Sequence, residues 1–388
     1  MENSEENKSF VIDVANERTY QNQDEKYNKA YAKWRSDSYN TYAYRYVQDT
    51  REHSYVAGEG YLQNTADTAE NISLRKCLGL IGVAMFVMLI FDAVNFFLAK
   101  TLNTHYTRNI VMFSDKQNNM TENIPLWFAV AFSAFSVAKY LAAILIVKLI
   151  TKIPINVILP HTKNKTLMIC NSVIIMLMVM VIGRIASFLI SSFMGVIKID
   201  SVYVFMMNSN DFHVKIISVC LNCIVIPILS ELFFRGMVLQ LFRQFGDNFA
   251  ILVSSLLCGF TFYDMEYIGY AICCSVILGL FTIRTGSIIT PVLMHMFSSS
   301  CNYFLSSIAL HNTLISRIVE ILICLLIVSL ALIVYHRLVR TENWSFNIQG
   351  VRSEINFSKK VKLLISTNTV AMWLVCAIIL TIAGTRIL

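Results

Sequence analysis

Charge is scarce in this chain: 15% of its 388 residues are Asp, Glu, Lys or Arg, against 56% hydrophobic, and the mean hydropathy is +0.57. A soluble globular domain does not reach that balance. Cysteine is missing from the polar loops, since all ten, from Cys77 to Cys376, fall in or beside apolar segments. That excludes the disulfide framework of a small secreted domain and leaves the thiols as packing residues. Cys220 and Cys223 form a lone CxxC with no second pair, too little for a metal or redox site. The opening MENSEENKSF has neither a basic flank nor an apolar core, so no cleavable signal peptide is expected and the first spanning helix must drive insertion. Absent too are a Ser-His-Asp arrangement, a zinc-binding HExxH and a phosphate-binding glycine loop, and no metal or cofactor is expected. The net charge of +7 does not point to nucleic acid, because the basic residues lie mostly in loops and tails and not on one folded face.

What the chain does have is a series of long apolar runs. A run of about 18 or more residues can cross a bilayer as a helix, which satisfies its own backbone hydrogen bonds, whereas a β-barrel strand would alternate. The expected fold class is all-α, a polytopic integral membrane protein of nine helices over 78–98, 126–149, 167–193, 214–235, 248–264, 267–283, 288–308, 314–335 and 363–384. Residues 1–74 are polar, rich in tyrosine (Tyr20, Tyr27, Tyr31, Tyr39, Tyr42, Tyr44, Tyr46) and poor in aliphatics, and are expected to form a mostly disordered cytoplasmic tail. Tyr27, Tyr31 and Trp34 share helical spacing, which leaves room for a short surface helix, and the tail can also be read as a docking arm. Lysine and arginine cluster before the first span (Arg75, Lys76), at Lys152, Lys163 and Lys165, at Arg243, at Arg284, and from Arg337 through Arg340, Arg352, Lys359 and Lys360 to Lys362. Alternate loops therefore share one face, which puts the N-terminus in the cytoplasm. The first of the opposite loops also holds Lys100, Arg108 and Lys116. No internal repeat supports a transporter of the inverted-repeat type.

Polar groups inside the apolar segments are functional candidates, because a charged side chain costs roughly 2.5 to 3.5 kcal/mol at a helix centre even on a lenient scale. Between Pro227 and Cys301 these are Glu231, Arg235, Asp264, Glu266 and His295. Glu231 and Arg235, four apart, face the same way and can pair as a buried strut. His295 and Ser299 share a face at the same spacing, and such a histidine is either a packing residue or part of a site.

The order SELFFRG, an apolar helix ending in FYD, then LGLFTIRTGSIITPVLMH resembles the CPBP family of intramembrane endopeptidases, also called the Abi or CaaX protease and bacteriocin-processing family, over roughly 214–305. Composition and apolar runs give a tail (1–74), N-terminal transmembrane helices (75–213) and C-terminal helices with a basic cytoplasmic loop (309–388), and the resemblance implies a CPBP-like core (214–308) between them. It also implies an EExxxR motif and an FxxxH motif whose first Glu and His activate water, and a final HxxxN motif that stabilises the oxyanion. On this chain the two Glu positions fall on Ser230 and Glu231, the Arg on Arg235, the final His on His295 and the Asn on Ser299. The middle motif falls on Cys258 and Phe262, so the first Glu and the middle His are replaced.

A serine hydroxyl and a phenyl ring cannot take a proton from water as a general base must. Glu231, one residue on from the lost Glu, should point about 100° away unless the helix is locally rewound. Asp264 should face away from Phe262, and Glu266 lies about 6 Å further along the axis as a possible rescue base. The leading expectation is a catalytically impaired member that acts as a membrane scaffold or regulator. Ser230, Arg235, Phe262, Asp264 and Ser299 would bind a partner helix or lipidated peptide of another membrane protein, with membrane lipids around it and no nucleic acid. The alternative is an active endopeptidase with a rearranged site using Glu231 or Glu266 with His295, and a third reading is a small transporter. The setting expected is a bacterial plasma membrane.

Overall fold

The structure, a computed structural model, describes residues 20, 22–45, 54–56, 60–62, 66–105, 124–162, 166–197, 199–201, 211–309, 313–342, 355–383 and 385–387. Tyr46 and the loop charges Arg108, Lys116, Lys163, Lys165 and Arg352 lie outside them. The chain runs through α1 (Glu25–Ser36), α2 (Ala66–His105), α3 (Leu126–Thr151), α4 (Ile155–Ile158), α5 (Thr166–Val196) and a long composite helix α6 (Phe212–Phe245). It continues through α7 (Asp247–Phe260), α8 (Met265–Thr285), α9 (Ile289–Ala309), α10 (Leu314–Glu342), α11 (Phe357–Ser366) and α12 (Asn368–Ala383). Two antiparallel pairs of three-residue strands, β1 (Ser54–Val56) with β2 (Gly60–Leu62) and β3 (Ile199–Ser201) with β4 (Thr385–Ile387), are the only other regular elements among the described residues.

All nine expected segments are helical, but they do not make nine full spans. Six helices, α2, α3, α5, α6, α8 and α10, are long and apolar enough to cross a membrane, and α11 with α12, bent by 67°, makes a seventh if the pair is one span. With 14 residues, α7 rises about 21 Å, short of a hydrocarbon core of about 30 Å. Nor is α9 among the six, since it places His295, Ser298, Ser299, Ser300 and Asn302 within one helix.

The loops rich in basic residues meet at one end of the bundle. There Ile288 N–H donates to Pro160 C=O at 2.9 Å, Thr162 Oγ1 donates to Thr285 C=O, and Lys360 Nζ donates to Phe245 C=O while pairing with Glu70 at 3.3 Å. The β3 and β4 pair lies beyond the other end of α5 and joins it to the end of the chain.

The N-terminal segment departs from the expectation of disorder. Within residues 22–45 it forms α1, capped by Asp24, whose side chain accepts from Tyr27 N–H at 2.8 Å, and this arm lies buried across the loop end of the bundle. Tyr20, Tyr27, Tyr31, Trp34 and Tyr44 are all 6% exposed or less and belong to the main hydrophobic core. Three of the polar tips are matched: Tyr27 Oη donates to Gln240 Oε1 at 2.6 Å, Tyr31 Oη to Gln240 C=O at 3.0 Å and Trp34 Nε1 to Thr151 C=O at 2.7 Å. Arg243, paired with Asp247 at 3.0 Å, stacks over the Tyr20 ring at 4.1 Å. A composition poor in aliphatics hid this, because a ring that buries about 150 to 250 Å² contributes, at about 25 cal/mol per Å², roughly 4 to 6 kcal/mol as an upper estimate.

The arm also touches the turn that separates α8 from α9. Gly286 adopts φ 60, donates its N–H to Thr282 C=O at 3.0 Å and so ends α8 with a left-handed cap. The Asn22 carbonyl occupies the space that a Cβ on Gly286 would need.

Candidate functional site

The site is organised by distortions of α6. Ile226 N–H reaches back to Leu221 C=O and Leu239 N–H to Phe234 C=O, so π-turns over Leu221–Val225 and Leu232–Val238 bracket the short α-helical stretch Ile226–Glu231. Pro227, which has no N–H to give, sits at the start of that stretch. Such π-bulges rotate the residues that follow and often mark functional positions. Both Ser230 and Glu231 reach His295, against the expectation that Glu231 would point elsewhere.

Glu231 Oε1 lies 2.8 Å from His295 Nδ1, and Ser230 Oγ lies 3.3 Å from the same nitrogen while donating to Pro227 C=O at 3.1 Å. Each Glu231 oxygen is also 3.1 Å from an Arg235 nitrogen, Nη1 to Oε1 and Nε to Oε2. Arg235 Nη2 then donates to Ser275 C=O at 2.8 Å and to Ser275 Oγ at 2.7 Å on α8. Glu231 and Arg235 have no exposed surface, whereas the His295 side chain is 20% exposed. The carboxylate therefore ties α6, α8 and α9 together, and with His295 Nδ1–H donated to it, the imidazole Nε2 is left as an acceptor.

Beside this cluster is a cavity of about 150 Å³. Ser230, Cys258, Thr261, Phe262, Ser275, His295, Ser298, Ser299 and Asn302 line it, and Glu231 does not. The linker 261–264 after α7 presents Phe262 to the cavity, next to Tyr263, which is buried with φ 50, an uncommon left-handed conformation for an aromatic residue.

Two sequence candidates stand apart. Asp264 is the N-cap of α8, its side chain accepting from Glu266 N–H at 2.9 Å, and it is not among the lining residues. Glu266, in the first turn of α8, has its carbonyl bonded to Ser187 Oγ at 2.8 Å on α5. It lies nine positions, about 13 Å along the helix, from the Ser275 that Arg235 holds. The cluster that would make Glu266 a rescue base with His295 and Glu231 therefore does not form.

Other polar residues of the cavity went unread in the sequence. Asp92 and Asn95 on α2 and Ser136 and Lys139 on α3 also line it. At the far side, Arg184 on α5 donates to Asn302 Oδ1 at 2.6 Å and pairs with Glu320 on α10 at 2.6 Å. Asp92, Lys139, Arg184 and Glu320 are all charges inside apolar runs, so the cost that singled out Glu231 would have found them too. Among the described residues no group of three His, Cys, Asp or Glu side chains is placed to hold a metal ion.

Residues 212–301 match the family model described as Rce1-like, type II CAAX prenyl endopeptidase Rce1-like. No curated protein and no solved structure gives a match. The matched stretch takes in α6, α7, α8 and most of α9, which together supply the whole Glu231, Arg235, Ser275 and His295 cluster. The apolar helices make this an integral membrane protein, and the resemblance carried by SELFFRG and the Thr285-Gly286 turn falls within the matched residues.

Proposed function

We propose that the Rce1-like core binds a lipid-modified or membrane-embedded peptide of a partner protein in its cavity without hydrolysing it, and so serves as a scaffold or regulator. The observation that carries this reading is the division of labour at α6: Ser230 faces the cavity while the Glu231 carboxylate is fully buried against Arg235 and does not line it. A water in the cavity has Ser230 and Phe262 where the resemblance implies a carboxylate and an imidazole, and neither accepts a proton usefully. Ser299, which lines the cavity, can still donate to a carbonyl, which suits binding. The end that gathers the basic loops and the arm is the cytoplasmic one on this reading.

The test is hydrolysis of farnesylated tetrapeptides and transmembrane peptides by the protein in lipid. The wild type should show no cleavage above buffer, and Ser230→Glu with Phe262→His together should create activity. Wild-type cleavage abolished by both His295→Ala and Glu231→Gln would sink the reading. That result would support the second one, a rearranged endopeptidase in which His295 Nε2 takes the proton and Glu231 holds Nδ1, which the 2.8 Å contact favours.

A further inference from the structure

The N-terminal arm, which lies outside the matched 212–301, is hydrogen-bonded to the residue that holds the cluster together. Leu239 N–H, which in a regular helix would donate to Arg235 C=O, reaches back to Phe234 C=O instead. The Gln240 side chain takes its place, Nε2 donating to Arg235 C=O at 3.1 Å. The other end of the same amide, Oε1, accepts from Tyr27 Oη at 2.6 Å. Arginine can only donate, so Arg243 Nη1, 3.2 Å from Tyr27 Oη, leaves the phenol proton to Gln240 and fixes which way the amide points. Gln240 is fully buried, so an amide end that loses its partner is left unsatisfied. Beside this relay α1 packs on α4, whose Ile158 carbonyl fills the space that a Cβ on Gly236, the residue after Arg235, would need.

We propose that the arm over residues 22–45 is a strap on the cavity, in which Tyr27 and Gln240 are positioning residues that hold Arg235 and, through it, the cavity wall at Cys258. With the arm docked, Gln240 satisfies the Arg235 carbonyl while the guanidinium spans Glu231 and Ser275. Without the Tyr27 hydroxyl, Gln240 Oε1 becomes a buried acceptor with no donor, and the amide is no longer held against Arg235 C=O. The main chain at Arg235 then loosens, and with it the guanidinium that lies 4.0 Å from Cys258 Sγ. An arm that only added stability would not single out this wall. The inference is separate from the choice between binding and hydrolysis, since it concerns what holds the cavity and not what enters it.

The test uses the full chain in lipid nanodiscs and methyl methanethiosulfonate, a small thiol reagent, with each modified cysteine read by peptide mass spectrometry. Cys258 lines the cavity and is 7% exposed. Cys77, which is fully buried, donates its thiol to Tyr42 C=O at 3.3 Å within the arm and so reports whether the arm is docked. Tyr27→Phe, which keeps the ring, should speed modification of Cys258 about three- to tenfold, the range of one net hydrogen bond, while Cys77 stays as slow as in the wild type. Gln240→Met should do the same, and the double variant should be no faster than either single one, because both break one relay. A Cys258 rate in Tyr27→Phe within about twofold of wild type, less than one hydrogen bond is worth, overturns the inference. So does a rise shared equally by Cys77, which would be general loosening. A double variant whose gain is the product of the two single gains overturns the relay through Gln240. Should Gln240→Met fail to fold, Cys258 against Cys77 in Tyr27→Phe decides alone.

Discussion

Replacing Arg235 with methionine should destabilise the protein by about 3 to 5 kcal/mol, the loss typical when one member of a buried ion pair is removed. Methionine keeps much of the stem's volume but deletes the guanidinium, leaving the unexposed Glu231 carboxylate with His295 as its partner among the described residues. It also deletes the two hydrogen bonds to Ser275, adding about 0.5 to 1.5 kcal/mol each at most. Substituting Glu231→Met in the same chain removes the stranded charge and should recover most of the loss, because an apolar pair of similar volume is often as stable as the ions it replaces. Unfolding can be followed by a thiol-reactive dye, since Cys258 and Cys274 are buried and flank the pair, Cys258 Sγ lying 4.0 Å from Arg235 Nη1. A single variant within about 1 kcal/mol of wild type would refute the view that this pair is a strut. A double variant as unstable as the single one would place the cost in packing and not in the stranded carboxylate.

Two further outcomes concern the arm. Burial pushes the Tyr27 and Tyr31 phenols well above their ordinary value, so the folded arm holds protons that the released arm would give up. Docking should therefore be intact below about pH 10 and weaken as pH rises above it, read as the loss of the Trp34 fluorescence difference between wild type and Trp34→Phe; an arm still docked well above that pH would contradict the burial. Gly286→Ala adds a Cβ where φ is 60 and where the Asn22 carbonyl sits, and should cost about 1 kcal/mol or more. Proteolysis within residues 22–45 should accelerate, whereas Gly269→Ala, at a position with open space around it, should leave the arm unchanged.

The all-α membrane class, the positions of all nine helical segments and the relation of 212–301 to the Rce1-like family were legible in residue patterns, because long apolar runs and the SELFFRG and Thr-Gly spacings are local properties. Span count was less so. Whether α7 crosses the bilayer depends on where its ends fall, and a break at Gly246, with φ 118, shortens it in a way hydropathy alone does not register. The contact of Glu231 with His295 was hidden for a different reason. A regular helix of 3.6 residues per turn separates positions 230 and 231 by about 100°, and that both still reach one imidazole depends on where α9 lies against α6, a contact between residues 64 and 65 positions apart. The arm was misread because its burial rests on tyrosines and tryptophan whose polar tips find Gln240, Thr151 and Arg243, partners more than 100 residues away.

What a membrane cavity does depends on which of its polar groups are already engaged. On the Rce1-like side the strongest candidate base, Glu231, is committed to Arg235 and His295 and has no exposed surface, so freeing it for proton transfer would mean stranding a buried cation. On the α2 and α3 side, Lys139 pairs with Asp92 at 2.7 Å and Asn95 donates to Ser136 at 3.1 Å, and all four residues line the cavity. A site selected for hydrolysis would keep its proton acceptor available and its walls satisfied. On the reading proposed above, this cavity instead keeps its carboxylate paired with Arg235 and His295, which suits holding a polar ligand more than attacking it.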